Sequence, residues 1–226
     1  MAPFLIDSPD IITLLGGGEV NDACLKNALI RAPRLVAADG GADAALARGL
    51  IPEAVVGDFD SISPQARTSL PPESLHHVAE QESTDFEKVL QRVRAPLLLA
   101  VGFLGRRLDH QLAALTALTR HATQPCLLLG RDDIAFAAPP ELALELPRGS
   151  RFSLYPLARV TGRSEGLEWP IEGLTFSPSG QIGTSNRVTG PVRLSFDAPG
   201  MVVITPPEAL DALIEGFAAR PSARAR

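Results

Sequence analysis

Three short acidic stretches of this chain carry residue types that can do chemistry. They are Gly57–Ser61, Ser83–Glu87 and Gly102–His110. Each lies where an apolar run gives way to a loop or opens a helix, and in a layered α/β fold such places meet at one crevice. At an effective dielectric near 20, two carboxylates about 5 Å apart repel by roughly 3 kcal/mol, so the cluster needs a cation. The pattern predicts a site for Mg²⁺ and a bound polyphosphate nucleotide.

The first stretch offers two carboxylates at a strand exit. Asp58 and Asp60 are two residues apart, so in an extended chain both side chains point the same way. Two oxygen ligands on one side suit a hydrated Mg²⁺ ion, and Gly57 permits a close approach. The alternative is structural: Asp58 forms a turn and Asp60 caps the helix that starts near Pro64.

A second candidate group, Asp39-Gly40-Gly41-Ala42-Asp43, lies at the end of the second predicted strand. Asp39 is well placed to cap the helix that follows. The paired glycines allow a ligand to reach the backbone, which favours a nucleotide or metal role as the sharper interpretation.

The third group is Thr84-Asp85-Phe86-Glu87. Thr84 and Glu87 form the pattern of a capping box, which explains both residues without any function. It leaves Asp85 unexplained, so Asp85 is predicted to be a further metal or substrate carboxylate. Lys88 lies three residues on, on the same helix face.

The stretch Gly102–His110 follows the most apolar predicted strand. The planar guanidinium of Arg107 can bind phosphate oxygens in a fork. Asp109 can complete a metal shell or orient a hydroxyl nucleophile, and His110 can bond a phosphate or cap the helix. The alternative is an exposed loop with an Arg–Asp ion pair.

Strand-like and helix-like segments alternate through the first 138 residues and must position these side chains. This alternation predicts an α/β domain with a mostly parallel sheet flanked by helices. The predicted strands are Ile11–Leu15, Arg34–Ala38, Glu53–Val56, Leu75–Val78, Pro96–Val101 and Pro125–Leu129. The predicted helices are Asp22–Arg31, Ala42–Arg48, Pro64–Ser69, Thr84–Arg94 and Asp109–His121.

Pro139-Pro140 ends this alternation, and residues 139–226 are predicted to form an all-β sandwich domain. The expected strands are Arg151–Leu157, Leu167–Trp169, Leu174–Phe176, Gln181–Ser185, Val192–Phe196 and Met201–Thr205, with a possible terminal helix at Asp211–Ala219. Turns are expected at the glycines that recur about every ten residues, namely Gly149, Gly162, Gly166, Gly173, Gly180, Gly190 and Gly200.

Composition narrows the class of protein. The formal net charge of −5 argues against a general nucleic-acid binder. No apolar run approaches the roughly 20 residues of a membrane span, and the N-terminus lacks the features of a secretory signal. Cys24 and Cys126 lie far apart without a CxxC pair, as expected of thiols in a reducing compartment. We therefore expect a cytoplasmic protein.

Four ordered motifs resemble the thiamine pyrophosphokinase family. They are Ala38–Ala42, Val56–Ile62, Thr84–Lys88 and Gly102–His110. The second half is similar more loosely, through Arg151–Leu157, Gly166–Pro170 and Thr184–Asn186. The resemblance implies a nucleotide-binding α/β domain followed by a β-sandwich. It also implies a homodimer that binds thiamine between the α/β domain of one subunit and the sandwich of the other.

The resemblance further implies residue roles. Asp58, Asp60 and Asp85 would bind Mg²⁺ with ATP, and Arg107 and Asp109 would act at the phosphates and the nucleophile. The implied nucleotide- and substrate-binding residues are Asp39, Gly40, Gly41, Ser61, Thr84, Lys88, His110, Ser185 and Asn186, of which Ser185 and Asn186 would contact thiamine. Two residues depart from the family pattern: Arg106 replaces a common second glycine, and Arg187 replaces a Glu that often follows Ser-Asn.

Two other functions remain open on the sequence. A phosphatase could use an aspartate nucleophile in Asp58-x-Asp60, although Gly57 interrupts the preceding strand. A non-catalytic nucleotide or thiamine sensor would bind without turnover. ATP-dependent formation of AMP separates both from the pyrophosphokinase.

Overall fold

The computed structural model describes residues 4–220, which divide into two compact units. The first contains the residues up to Ala117 together with Leu127–Arg131. The second contains Leu118–Cys126 and the residues from Asp132 onward. The domain boundary predicted at residue 138 stays a prediction.

The N-terminal part of the chain alternates between strands and helices. The strands are β1 (Ile6–Asp7), β2 (Ile12–Leu15), β3 (Arg34–Ala38), β4 (Ala54–Gly57), β5 (Leu75–His77), β6 (Val93–Arg94), β7 (Leu98–Val101) and β8 (Cys126–Leu129). The helices are α1 (Asp22–Arg31), α2 (Gly41–Leu46), α3 (Pro64–Ser69), α4 (Asp85–Arg92) and α5 (Leu108–Arg120), and Pro72–Ser74 is a 3-10 turn.

The main sheet of the first unit has the strand order β8-β7-β2-β3-β4-β5. The pairs β2/β3, β2/β7, β3/β4 and β4/β5 are parallel. Every residue of β2, β4 and β7 is buried, as strands covered by helices on both faces require. The chain adds β3, β4 and β5 on one side of β2 and then β7 and β8 on its other side. The order in which strands are added to the sheet therefore reverses at β2. Ligands of open α/β sheets bind at the carboxyl ends of strands beside such a switch point.

The second unit is built mainly from antiparallel strands. They are β9 (Ile134–Ala137), β10 (Glu141–Leu144), β11 (Arg151–Pro156), β12 (Val160–Leu167), β13 (Thr175–Phe176), β14 (Thr184–Phe196) and β15 (Met201–Thr205). Their order is β13-β12-β14-β11-β15-β9, and β10 pairs with β14. The 3-10 turn Pro207–Ala209 leads into helix α6 (Leu210–Ala218), which contacts β10. The predicted α/β fold with a sheet-rich C-terminal part is confirmed.

The second unit differs from the sequence expectation at three glycines. Gly162 and Gly166 lie inside β12 and Gly190 lies inside β14, rather than in turns. Residues 184–185 of the predicted strand 181–185 and the whole predicted strand 192–196 belong to one strand, β14. Strand β11 pairs with its first four residues, and β10 pairs with residues 192–195. Gly166 has a φ of 73° at a register shift between Glu165 and Leu167, so it forms a bulge.

Within residues 4–220, none of the helices combines the length and the apolar composition that crossing a membrane requires.

Candidate active site

Glycines bring three strand-end loops of the first unit together. A Cβ atom on Gly18 would lie 2.4 Å from the carbonyl oxygen of Gly102, and one on Gly41 would lie 2.1 Å from that of Leu15. The Gly18 N–H donates to the Gly102 carbonyl at 3.1 Å. The loops after β2, β3 and β7 therefore pack backbone against backbone, which only glycine permits at these positions.

Three aspartates form a cluster at this edge of the sheet. One carboxylate oxygen from each of Asp39, Asp58 and Asp60 lies within 4.8 Å of the other two. Asp39 follows β3 and Asp58 follows β4, so the neighbouring parallel strands deliver them to the same edge. The sequence suggested the proximity of Asp58 and Asp60 correctly.

The backbone that joins Asp58 to Asp60 is a tight turn rather than the extended segment we expected. Phe59 has a φ of 65°, and the Asp60 N–H donates to Asp58 Oδ1 at 3.2 Å. The Phe59 ring packs on His77, with the Arg67 guanidinium 5.4 Å from the ring centroid. A left-handed non-glycine residue costs about 1–3 kcal/mol, and these contacts help to hold it. Asp60 does not cap the next helix, since the Ser63 hydroxyl accepts from the Ala66 N–H.

Asp39 is the most buried member of the cluster, with 1% of its surface exposed. Its Oδ2 accepts from the Ser61 N–H at 2.9 Å, while its Oδ1 is buried without a hydrogen-bond partner among the described residues. Burial raises the pKa of Asp39 to about 6, against the opposing Ser61 hydrogen bond and with a further increase from the charge of Asp85. Helix α2 is capped by Gly40, so capping does not explain Asp39.

The cluster fits a hard divalent cation. An orphaned, buried carboxylate oxygen next to two further carboxylates is costly unless a positive charge neutralises it. Mg²⁺ prefers one or two carboxylates together with phosphate oxygens and water, which is the donor set available here. Asp39, Asp58 and Asp60 are therefore the residues of the described chain best arranged to hold it.

Lys88 connects the cluster to helix α4. Its ammonium donates to Asp58 Oδ2 at 2.6 Å and to Asp85 Oδ1 at 3.1 Å, and its side chain is 2% exposed. The hydrogen bond from Lys88 lowers the pKa of Asp58. Burial raises the pKa of Asp85 despite the same ammonium. Asp85 thus faces Lys88 in this structure, and its role as a metal ligand stays a prediction.

The capping box at the start of α4 is confirmed. The Glu87 N–H donates to Thr84 Oγ1 at 3.3 Å, and the Thr84 N–H donates to Glu87 Oε2 at 3.3 Å. The box fixes where α4 begins and so where Asp85 and Lys88 lie.

Arg107 and Asp109 form an exposed fork at the start of α5. Arg107 Nε donates to Asp109 Oδ1 at 3.1 Å and Arg107 Nη2 donates to Oδ2 at 2.6 Å. The guanidinium lowers the pKa of Asp109. His110 is exposed in the first turn of α5. This geometry matches the predicted ion pair and leaves the phosphate role as a prediction.

Arg106, one of the two departures, takes a φ of 62° beside Gly105 at 89°. The arginine thus adopts a left-handed backbone conformation, which glycine adopts without steric cost.

Ser185 and Asn186 lie on β14 of the second unit. Asn186 is 3% exposed; its Oδ1 accepts from the Trp169 N–H at 3.1 Å and its Nδ2 donates to the Trp169 carbonyl at 2.6 Å. Arg187 pairs with Glu168 at 2.8 Å. In this structure the Asn186 amide supports the backbone of an exposed tryptophan.

Sequence reasoning missed Gln81, and it placed Asp43 in a candidate group without giving it a role. Gln81 Nε2 donates to Asp58 Oδ2 at 3.0 Å, and Asp43 binds Ser63 next to the aspartate turn. No local sequence pattern indicates either contact, because each joins residues about 20 positions apart in the chain.

Of the predicted ligand-binding residues, Asp39, Gly40 and Ser61 lie beside Asp58 and Asp60. The Ser61 hydroxyl donates to Asp60 Oδ1 at 2.7 Å, and a Cβ atom on Gly40 would lie 3.2 Å from the Ser61 carbonyl oxygen. Gly41 begins α2, and Lys88 joins the group through Asp58.

Known proteins resemble this chain in sequence and in fold. Residues 25–128 match the family model for the catalytic domain of thiamin pyrophosphokinase. Thiamine pyrophosphokinase 1 of rice is 28% identical over 167 residues, which cover 65% of this chain and 63% of the rice protein. Thiamine pyrophosphokinase 1 of Arabidopsis thaliana is 26% identical, over 61% of this chain and 58% of that protein. The chain therefore matches less than two thirds of the length of these relatives.

Solved structures share the fold. Thiamin pyrophosphokinase from Geobacillus thermodenitrificans superposes with a TM-score of 0.71 at 21% identity, covering 87% of this chain and 96% of that one. The yeast enzyme superposes with a TM-score of 0.68 at 16% identity, covering 93% and 90%. The matched segment 25–128 contains all three clustered aspartates, Lys88 and the Arg107–Asp109 pair. Through that segment, which is a little under half of the chain, the chain is similar to the catalytic domain of the thiamine pyrophosphokinase family.

Proposed function

We propose that this protein transfers the pyrophosphoryl group of ATP to the hydroxyl of thiamine, giving thiamine diphosphate and AMP. The observation that carries the proposal is the buried Oδ1 of Asp39, which lies beside Asp58 and Asp60 and has no hydrogen-bond partner within residues 4–220. All three aspartates lie inside the segment that matches the family's catalytic domain. The divalent cation of a bound polyphosphate would supply the positive charge that these carboxylates lack.

In the proposed reaction the thiamine oxygen forms a bond to the β-phosphorus of ATP, and the bond from the β-phosphorus to the oxygen of the α-phosphate breaks. AMP leaves with the bonding electrons. Such a transfer depends on in-line positioning and on neutralisation of charge rather than on a covalent enzyme intermediate. Bound Mg²⁺ would neutralise negative charge on the phosphate oxygens.

The chain's own residues divide this work. Asp39, Asp58 and Asp60 hold the cation, and Asp85 is a further candidate ligand. Arg107 steadies the transferred group: its exposed guanidinium would exchange its two contacts with Asp109 for phosphate oxygens. Asp85 or Asp109 receives or orients the proton of the thiamine hydroxyl. The raised pKa of Asp85, caused by its burial, favours it as the acceptor.

The remaining ligand contacts extend this proposal. Gly40, Gly41, Ser61, Thr84, Lys88 and His110 would line the nucleotide site, and Ser185 and Asn186 would lie at thiamine. We further propose a cytoplasmic homodimer in which thiamine binds between subunits. Light scattering of the purified protein tests the dimer, and fractionation of the native cells tests the location.

One assay tests the activity. Purified protein is incubated with ATP, Mg²⁺ and thiamine, and the products are separated by chromatography. We expect thiamine diphosphate and AMP in equal amounts, dependent on both thiamine and Mg²⁺. Folded protein that binds ATP or thiamine without forming AMP would support a sensor instead, and release of inorganic phosphate from simple esters would support a phosphatase.

A further inference from the structure

The turn that carries Asp58 and Asp60 is tied to the loop after β3 by two parallel contacts. Asp39 and Asp43 are four residues apart around the start of α2, and they accept hydrogen bonds from Ser61 and Ser63 respectively. The Ser61 N–H lies 2.9 Å from Asp39 Oδ2, and the Ser63 N–H lies 2.9 Å from Asp43 Oδ2.

Asp43 uses both carboxylate oxygens in this tie. Oδ2 accepts from the Ser63 N–H and Oδ1 accepts from the Ser63 hydroxyl. The same hydroxyl accepts from the Ala66 N–H at 3.1 Å and so caps α3. Asp43 is outside the group of aspartates with converging oxygens, so its effect on a bound ion is indirect.

The residue between the two serines strengthens the tie. Ile62 is 8% exposed and belongs to the apolar cluster that contains Ala37, Ala42 and Val55. Each residue of the segment Ser61–Ser63 is therefore held: Ser61 by one hydrogen bond, Ile62 by apolar packing and Ser63 by two hydrogen bonds. The left-handed Phe59 lies just before it, so the anchored segment limits the conformations open to the turn.

We propose that Asp43 is a positioning residue for the phosphate–metal site: by holding Ser63 it fixes the turn that presents Asp58 and Asp60. The inference rests on the proposed function for its link to turnover, but its link to metal binding stands separately. Groups that orient metal ligands in this way typically change metal affinity or activity by about 10- to 100-fold when they are replaced.

The test compares Asp43→Asn with a matched variant, Asp22→Asn. Asp22 is also an aspartate of the first unit that binds one side chain, Arg48 at 2.7 Å, but its own side chain is 82% exposed and it makes no contact with Ser61–Ser63 among the described residues. Both variants lose one negative charge. Binding of Mn²⁺ alone, followed by electron paramagnetic resonance at pH 8, reports on the aspartates without requiring turnover.

We expect Asp43→Asn to weaken Mn²⁺ binding by about 10-fold, and to raise by a similar factor the Mg²⁺ concentration that half-saturates turnover, while kcat at saturating Mg²⁺ changes less. Asp22→Asn should match the wild type in both measurements. Equal Mn²⁺ affinity in Asp43→Asn and the wild type would overturn the proposal. So would an equal loss in the two variants, which would indicate a general charge effect.

A second pair of variants covers the case in which Asp43→Asn does not fold. Ser63→Ala removes the hydroxyl and should weaken Mn²⁺ binding, whereas Ser63→Thr keeps it and should restore the wild-type affinity. Identical affinities for these two variants would overturn the proposal. Wild-type protein that binds Mn²⁺ but forms no thiamine diphosphate would refute the proposed function and leave the role of Asp43 supported. Wild-type protein that forms thiamine diphosphate but binds no Mn²⁺ on its own would overturn the role of Asp43 and leave the proposed function supported.

Discussion

Lys88 Nζ lies 2.6 Å from Asp58 Oδ2, and only 2% of the lysine side chain is exposed. The same ammonium reaches Asp85 Oδ1 at 3.1 Å. One buried cation therefore joins the turn after β4 to the first turn of α4, and it partly neutralises an acidic site before any ligand binds.

Replacement of this cation should destabilise the protein strongly. Lys88→Met leaves Asp58 and Asp85 close together without their shared partner, and loss of one member of a buried ion pair costs about 3 kcal/mol. Urea unfolding measures the change in the free energy of unfolding. Lys26→Met is the control, because Lys26 is exposed on α1 and its loss should change stability by less than about 0.5 kcal/mol. Equal stabilities for the two variants would contradict a structural role for Lys88.

Asp60→Asn should separate catalysis from stability. The Asp60 carboxylate is exposed and accepts from Ser61 Oγ, so it contributes little to folding. As a ligand in the transition state it should matter far more, and turnover should fall at least about a hundredfold. The assay is AMP formation, with the melting temperature expected within about 2 °C of the wild type. Near-normal AMP formation would refute the assignment. Glu82→Gln, which changes an exposed acid outside the aspartate cluster, should retain full activity.

Asp39→Asn should change how stability depends on pH in metal-free buffer. Burial raises the pKa of Asp39 from 3.8 to about 6, so the folded protein binds more protons than the unfolded chain between these values. The stabilisation from protonated Asp39 is complete below about pH 4 and is lost as the pH rises through about 6. Asp39→Asn has no titratable group at this position, so its stability does not fall in this way as the pH rises. Asparagine also tolerates the left-handed backbone that Asp39 adopts at a φ of 41°.

We therefore expect Asp39→Asn to be more stable than the wild type above pH 6, by about 1–3 kcal/mol. Urea titrations at several pH values with a chelator present measure the difference. Parallel stability curves for the variant and the wild type would show that Asp39 titrates normally.

Arg106 tests the backbone of the loop before α5. Since Arg106 already has a φ of 62°, Arg106→Gly should leave the free energy of unfolding within about 1 kcal/mol of the wild type. Arg106→Val places a β-branched residue in the left-handed region and should cost about 1–3 kcal/mol. Chemical denaturation compares the two, and a valine variant as stable as the glycine variant would show that the loop relaxes to another conformation.

Local sequence determined much of the first unit. The bounds of α1, β3 and α3 agree with the prediction, and the capping box of Thr84 and Glu87 forms as its spacing indicates. These features depend on residues a few positions apart, whose interactions are much the same in any fold. The arrival of Asp58 and Asp60 at one edge also follows from the sequence, since parallel strands align their carboxyl ends.

Only the tertiary structure decided which side chains meet there. Asp39 joins Asp58 and Asp60 because β3 and β4 are neighbours, whereas Asp85 turns to Lys88, which lies on its own helix. Strand β14 runs through Gly190 because β10, β11 and β12 supply its partners. Such contacts join residues far apart in the chain, and they stabilise the protein only after the strands have paired. No local sequence pattern therefore predicts them.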